Sequence, residues 1–157
     1  MSPTVQLNSI RRAQPSDFLA IAALDREAWS ESREATFIPD GEHAWRLWTE
    51  HGIVFVYQRE HNAVLGASLA FPALSGVFCL HKIFVDITCR GEGVGTQLMN
   101  ATLEEIDRLD VSCFLTVDPV NEAAIRLYES FGFRERLFVK GYYRESEDRF
   151  VLTRPKR

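Results

Sequence analysis

Three glycines in close succession constrain this chain more than any other feature. Gly91, Gly93 and Gly95 follow a run of strand character, Val77 to Val85. They precede a stretch in which Leu98, Met99, Leu103, Ile106 and Leu109 recur at helical spacing. Glycine accepts positive φ and lets the backbone approach a ligand closely. Consecutive amides in such a turn converge on an anion, and the following helix adds its unpaired N–H groups and the positive end of its dipole. Arg90 at the rim supplies a forked donor suited to phosphate oxygens. The segment predicts a diphosphate-binding loop between a strand and a helix; the plainer alternative is a tight connection without a ligand. A P-loop requires Gly-Lys-Ser/Thr, whereas this loop ends Gly95-Thr96. A dinucleotide fingerprint belongs after the first strand of a βαβ unit, and these glycines come late, after expected hairpins.

The rest of the chain alternates element types, which predicts an α/β (α+β) fold. Ser9 to Ala13 opens as a strand. Pro15-Ser16-Asp17 starts a helix that carries Phe18, Ile21, Ala22 and Leu24 and ends near Trp29. Ser30 to Asp40 is a polar loop, and Gly41 to Glu50, with Trp45 and Trp48, is a second helix. Three strands follow: Ile53 to Gln58, Val64 to Phe71 and Val77 to Val85. The turns between them, His61-Asn62 and Ser75-Gly76, are short enough for antiparallel hairpins. Val111 to Val117 reads as a buried strand. Pro119 and Asn121 open another helix with Ala124, Leu127, Tyr128 and Phe131 on one face, and Gly132 suits its C′ position. Phe133 to Val139 and Phe150 to Thr153 read as the last strands, joined by the polar segment Lys140 to Arg149.

Composition narrows the class. The 157 residues suit a single domain, 1–157, and the 11 Phe, 3 Trp and 4 Tyr supply core material that a disordered chain lacks. A net charge of −4 argues against nucleic-acid partners and against a polybasic membrane anchor. No apolar run approaches the ~18–20 residues of a membrane helix, and Met1 to Gln14 has no apolar signal-peptide core. Cys79, Cys89 and Cys113 are odd in number and show no C-x-x-C spacing, so reduced thiols and a cytoplasmic location are expected, with Cys79 and Cys113 buried. His43, His51, His61 and His81 form no paired-ligand motif with the cysteines, so no metal is expected.

A second constellation lies downstream of the glycine loop: Asn121-x-x-Ala124-Ile125-x-Leu127-Tyr128-x-x-Phe131-Gly132-Phe133. Together the two segments resemble the GNAT superfamily of acyl-CoA-dependent N-acetyltransferases, from about Ile10 to Thr153. The resemblance implies a mixed, mostly antiparallel sheet of six to seven strands, splayed between strands 4 and 5, with about four helices on both faces. It also implies acetyl-CoA (coenzyme A) as co-substrate in the gap, with Val77 to Val85 as strand 4 and Val111 to Val117 as strand 5. Backbone groups of Ile83, Phe84 and Val85 would bond the pantetheine. Amides of Gly91, Glu92, Gly93, Val94, Gly95 and Thr96, with Arg90, would hold the pyrophosphate. Asn121 would contact the cofactor beyond the diphosphate, although it is also a good N-cap; Ala124 would be small where the pantetheine passes, although it is also a good helix former. Tyr128 would lie near the thioester sulfur, with core packing as the alternative.

The implied reaction is direct attack of an amine on the thioester in a ternary complex. Proton transfer from a tyrosine of pKa ~10 to a thiolate of ~8.5 is uphill by about 2 kcal/mol, so Tyr128 serves as hydrogen-bond donor unless its pKa is lowered. Gly141-Tyr142-Tyr143 and Leu115-Thr116-Val117 are similar to segments of the N-terminal-peptide (ribosomal-protein) acetyltransferases. The middle residue of the strand triplet is often Glu or His there and serves as base. Thr116 cannot take a proton at neutral pH. His81 is the leading substitute through a water relay, ahead of Asp118 and Glu27, and a structural histidine is the alternative. Glu31, Glu34, Asp40, Glu145, Glu147 and Asp148 would draw a cationic amine or simply be solvated. The acceptor readings are a protein or peptide amine, or a small molecule such as a polyamine, an amino acid or an aminoglycoside-like compound. A CoA-binding sensor without turnover is the non-enzymatic alternative. A homodimer is common in the family.

Overall fold

The computed structural model describes residues 9–31, 38–60 and 63–157, with the backbone alone at Glu31. The expected His61-Asn62 turn and the acidic Glu34 lie outside the described residues. In chain order the elements are β1 (Ser9–Arg12), α1 (Phe18–Glu31), α2 (Glu42–His51), β2 (Ile53–Arg59), β3 (Ala63–Pro72), β4 (Phe78–Val85), α3 (Val94–Leu109), β5 (Cys113–Val117), α4 (Glu122–Ser130), β6 (Glu135–Val139) and β7 (Arg149–Arg154). The strands form one seven-stranded sheet, β1-β2-β3-β4-β5-β7-β6, mostly antiparallel. β4 and β5 are parallel and pair only at Phe78↔Cys113 and Cys79↔Phe114, the first two residues of each. The chain divides into two compact units, Met1–Phe71 with Lys82–Glu105, and Pro72–His81 with Ile106–Arg157.

In the first unit, β2 pairs antiparallel with both β1 and β3. Ile53, Val54, Val56 and Tyr57 are all buried, as expected of an inner strand covered on both faces. Ile21, Ala22, Leu24, Trp45, Val56, Leu69 and Phe84 make one core cluster. Tyr57, Cys89, Val94 and Leu98 make another, with Ile83 and Val85 packed against it. Gly66 permits close approach here, because a Cβ would meet Leu98 Cδ1 at 3.2 Å, Tyr57 Cβ at 3.3 Å and the Phe84 carbonyl at 3.4 Å. The Pro15-Ser16-Asp17 start is a 3₁₀ turn running into α1. Asp17 accepts from the Gln14 N–H at 2.7 Å and pairs with Arg11 at 2.8 Å.

In the second unit, β5 and β6 both pair antiparallel with β7. Phe133, Leu152 and Cys113 are fully buried, with Leu115, Val117 and Ile125 nearly so. The buried Arg154 guanidinium donates to Asp107 at 2.7 and 3.1 Å and to the Phe131 carbonyl at 3.0 Å. Two strands start two residues later than the sequence pattern predicts. Phe133 is apolar but its N–H returns to the Tyr128 carbonyl at 3.1 Å, so it closes α4 and β6 begins at Glu135. β5 begins at Cys113, after a turn at Asp110 with φ 55°.

Candidate active site

Local chemistry shapes the glycine loop from both ends. Asp86 accepts hydrogen bonds from the Thr88 N–H at 3.0 Å and from the Thr88 hydroxyl, which sets a 3₁₀ turn over Ile87–Cys89. Cys89 is buried, so the chain is anchored just before exposed Arg90. Gly91 and Gly93 then take φ 81° and 79°, and no heavy atom lies within 4 Å of a Cβ built on Gly91, Gly93 or Gly95. Open space above a backbone turn is what a phosphate needs to reach main-chain amides. Val94 is buried and opens α3, whose first bond runs from the Gln97 N–H to the Gly93 carbonyl at 3.1 Å. The N–H groups of Val94, Gly95 and Thr96 therefore have no intrahelical acceptor. The loop fits a diphosphate.

Just upstream, Ile83, Phe84 and Val85 occupy the end of β4. Phe84 is buried edge-on against Trp45 at 5.8 Å. Lys82 enters a cluster that sequence reasoning missed. Its Nζ lies 3.1 Å from Asp25, 2.8 Å from Asp40 and 2.6 Å from the Ile38 carbonyl. Asp25 is fully buried and also accepts from Trp45 Nε1 at 3.0 Å and the Asp40 N–H at 2.8 Å. The visible signal was a lysine at the Leu80–Lys82–Phe84 positions, where the strand's other residues are apolar.

The second unit carries the other expected residues. Asn121 caps α4, its Oδ1 accepting from the Ala124 N–H at 3.2 Å, so its structural role is realised. Ala124 is half-buried one turn ahead of Tyr128. Tyr128 packs edge-on against Phe133 at 6.4 Å, and burial raises its pKa. That shift disfavours its use as a proton donor and leaves hydrogen-bond donation. His81 is exposed on β4. Among the weaker base candidates, Asp118 accepts from the Val120 N–H at 3.1 Å, and Glu27 is exposed on α1 in the first unit.

Thr116 has a definite partner. Its Oγ1 lies 2.9 Å from the Tyr143 hydroxyl, so the residue that cannot be a base aims a tyrosine instead. Tyr143 meets Tyr142 edge-on at 4.8 Å, and the buried Arg149 guanidinium covers its ring at 5.2 Å. Burial raises the Tyr142 pKa, with smaller contributions from Tyr143 and Cys79. The acidic residues of this segment are largely committed. Glu147 pairs with Arg144 at 2.9 Å and Arg149 at 3.6 Å, while Asp148 accepts from the Gly141 N–H at 2.8 Å. Asp40 is held by Lys82. Of the described acidic residues, Asp40 and Glu147 thus pair with cations, Asp148 holds a turn and Glu145 is exposed; Glu34 and the Glu31 side chain lie outside the described residues. Cys79, Cys89 and Cys113 are free and buried as thiols; burial pushes Cys79 up to about 11 and Cys113 to about 12. Among the described residues no cluster of three potential metal ligands occurs. No described helix is long and apolar enough to cross a membrane.

The model of the Acetyltransferase (GNAT) family matches residues 18–133. The chain belongs to the GNAT family. Acetyl-CoA is accordingly its co-substrate, and it is grouped with N-acetyltransferases. An N-alpha-acetyltransferase of Saccharolobus solfataricus is 26% identical over 160 residues, spanning 94% of this chain and 92% of that protein. The ribosomal-protein bS18-alanine N-acetyltransferase of Escherichia coli is 30% identical over 103 residues, 63% of this chain and 70% of that protein. A shorter match, 40% over 68 residues, is to an uncharacterized N-acetyltransferase of Methanocaldococcus jannaschii; it covers 41% of this chain and only 29% of that longer protein. The crystal structure of the Escherichia coli S18-alanine enzyme superposes with a TM-score of 0.77 at 25% identity, covering 95% of this chain and 94% of the other. A Sinorhizobium meliloti phosphinothricin acetyltransferase in complex with AcCoA shares the fold, with a TM-score of 0.74 at 20% identity over 95% of this chain and 88% of the other.

Proposed function

We propose that residues 1–157 act as one acetyltransferase domain that moves the acetyl group of acetyl-CoA onto the α-amine of a polypeptide. The observation that carries this reading is the Thr116–Tyr143 contact, which holds a tyrosine pair in place of a base. At pH 7.5 about a third of an α-amine is neutral, against about a thousandth of a lysine amine. A strand without Glu or His at position 116 suits the acceptor that needs less help. The internal pairing of Glu147, Asp148 and Asp40 argues against a polyamine, which needs uncommitted carboxylates. The names of the Saccharolobus and Escherichia relatives point the same way.

In this reading the reactive thioester comes from acetyl-CoA. Main-chain amides from Gly91 to Thr96, with Arg90, hold the diphosphate, and the β4 backbone at Ile83, Phe84 and Val85 holds the pantetheine. Asn121 and Ala124 shape the approach along α4. Tyr128 donates a hydrogen bond to the departing sulfur; its raised pKa keeps the proton on the phenol. The acceptor amine attacks directly, and His81 takes its remaining proton through water.

Thiol release from acetyl-CoA tests the acceptor. A peptide with a free N-terminal alanine is expected to support turnover, whereas the same peptide blocked at its N-terminus but carrying an internal lysine, and spermidine, are not. Turnover with the lysine peptide or spermidine alone overturns the α-amine assignment. CoA binding without turnover on any amine leaves a non-catalytic CoA-binding module. His81→Gln is expected to lower kcat with the peptide acceptor about tenfold or more; an unchanged kcat removes His81 from the mechanism.

A further inference from the structure

The glycine loop contains a carboxylate where a binding site for anions should avoid one. Glu92 lies between Gly91 and Gly93, and half of its side chain is exposed. Unpaired, it would weaken the binding of a diphosphate by about tenfold or more through like-charge repulsion. The chain answers it from β2. Arg59 Nη2 donates to Glu92 Oε2 at 2.6 Å, and its Nε donates to the Tyr57 hydroxyl at 3.4 Å. The guanidinium also sits over the Tyr57 ring at 5.8 Å. Tyr57 is itself 4% exposed and clusters with Cys89 and Val94, the buried residues on either side of the loop. One aromatic ring thus seats both flanks of the loop and the cation that meets its acidic residue.

We propose that Arg59 is a positioning residue for coenzyme A: held on Tyr57, it neutralises Glu92 and keeps that carboxylate away from the diphosphate. The inference rests on the reading of Gly91–Thr96 as the diphosphate site. The pair is of little use for stability, because an exposed ion pair contributes almost nothing to folding. Arg59 is 31% and Glu92 50% exposed, so the pair is expected to show in anion binding rather than in the melting temperature.

Titration calorimetry with coenzyme A tests the pair as a double-mutant cycle, with thermal melts to establish that each variant is folded. Arg59→Met is expected to raise Kd about tenfold and to flatten its dependence on salt. Glu92→Gln is expected at or below the wild-type Kd. The double variant is expected to return to within about threefold of wild type, and Arg59→Lys to rescue most of the loss. The proposal is overturned if Arg59→Met binds like wild type, or if Glu92→Gln is as weak as Arg59→Met. It is equally overturned if the double variant stays weak, which would mean that Arg59 touches the phosphates itself. Wild-type protein that binds no coenzyme A would instead refute the reading of the loop.

Discussion

The two units prepare their expected ligands by different means. In the first, the glycine loop is made of main chain: its shape follows from two positive-φ glycines, a capped 3₁₀ turn and a helix start. In the second, the tyrosine pair is held by side chains that are distant in sequence, with Thr116 on β5, Arg149 on β7 and Tyr143 between β6 and β7. A backbone-built site tolerates variation in its side chains and recognises a ligand common to a whole family. A site built from side chains changes with single substitutions, and that is where acceptor choice can diverge. Thr116, whose hydroxyl meets that of Tyr143, is such a position.

The strongest way to break this contrast is to disturb the first unit away from its loop. Asp25→Ala removes the buried carboxylate that Lys82, Trp45 Nε1 and the Asp40 N–H share, and urea unfolding should show a loss of about 3–5 kcal/mol. Because the loop depends on local main chain, the folded fraction should bind coenzyme A with unchanged Kd. A weakened Kd would mean that the loop depends on the ionic cluster. Next in size, Tyr128→Phe should lower kcat about a hundredfold while the Kd of coenzyme A stays constant. Unchanged turnover would leave Tyr128 as core alone.

Within the loop, Gly93→Val puts a β-branched residue at φ 79° and should weaken coenzyme A binding about tenfold, while the strain lowers the melting temperature by a few degrees. A loss confined to stability would separate the loop from the cofactor. The smallest expected effect compares the units directly through acid sensitivity. Hydrogen bonding to Arg11 holds the Asp17 carboxyl below its ordinary 3.8, and Arg154 does the same for Asp107. A lowered carboxylate pKa contributes stability that is present above the unfolded value and lost as pH falls through the folded value. Melting temperature should therefore hold steady down to about pH 5 and fall below about pH 4, and Asp17→Asn and Asp107→Asn should each flatten part of that fall. A decline already complete at pH 6 would implicate a histidine instead.

Much of the fold was legible because local rules and burial agreed. Pro15-Ser16-Asp17 started a helix, Asn121 capped α4, and Gly132 ended it at φ 99°. The errors fell where a local turn overrode an apolar pattern. Phe133 looked like strand and closes a helix, and Val111 precedes a strand that starts at Cys113. The acidic residues of the Lys140–Arg149 segment stayed open for a different reason: the partners of Glu147 and Asp148 are not visible until Arg144, Arg149 and Gly141 are in space.

By itself the sequence determined the order of elements, the glycine loop and the family likeness, since these rest on residues near one another along the chain. Only the tertiary structure decided that Arg59 meets Glu92, that Lys82 is enclosed by Asp25 and Asp40, and that Thr116 aims Tyr143. Each of these contacts joins side chains from different elements, and strand pairing and core packing, rather than local preference, set which charged and hydroxyl groups come within bonding distance.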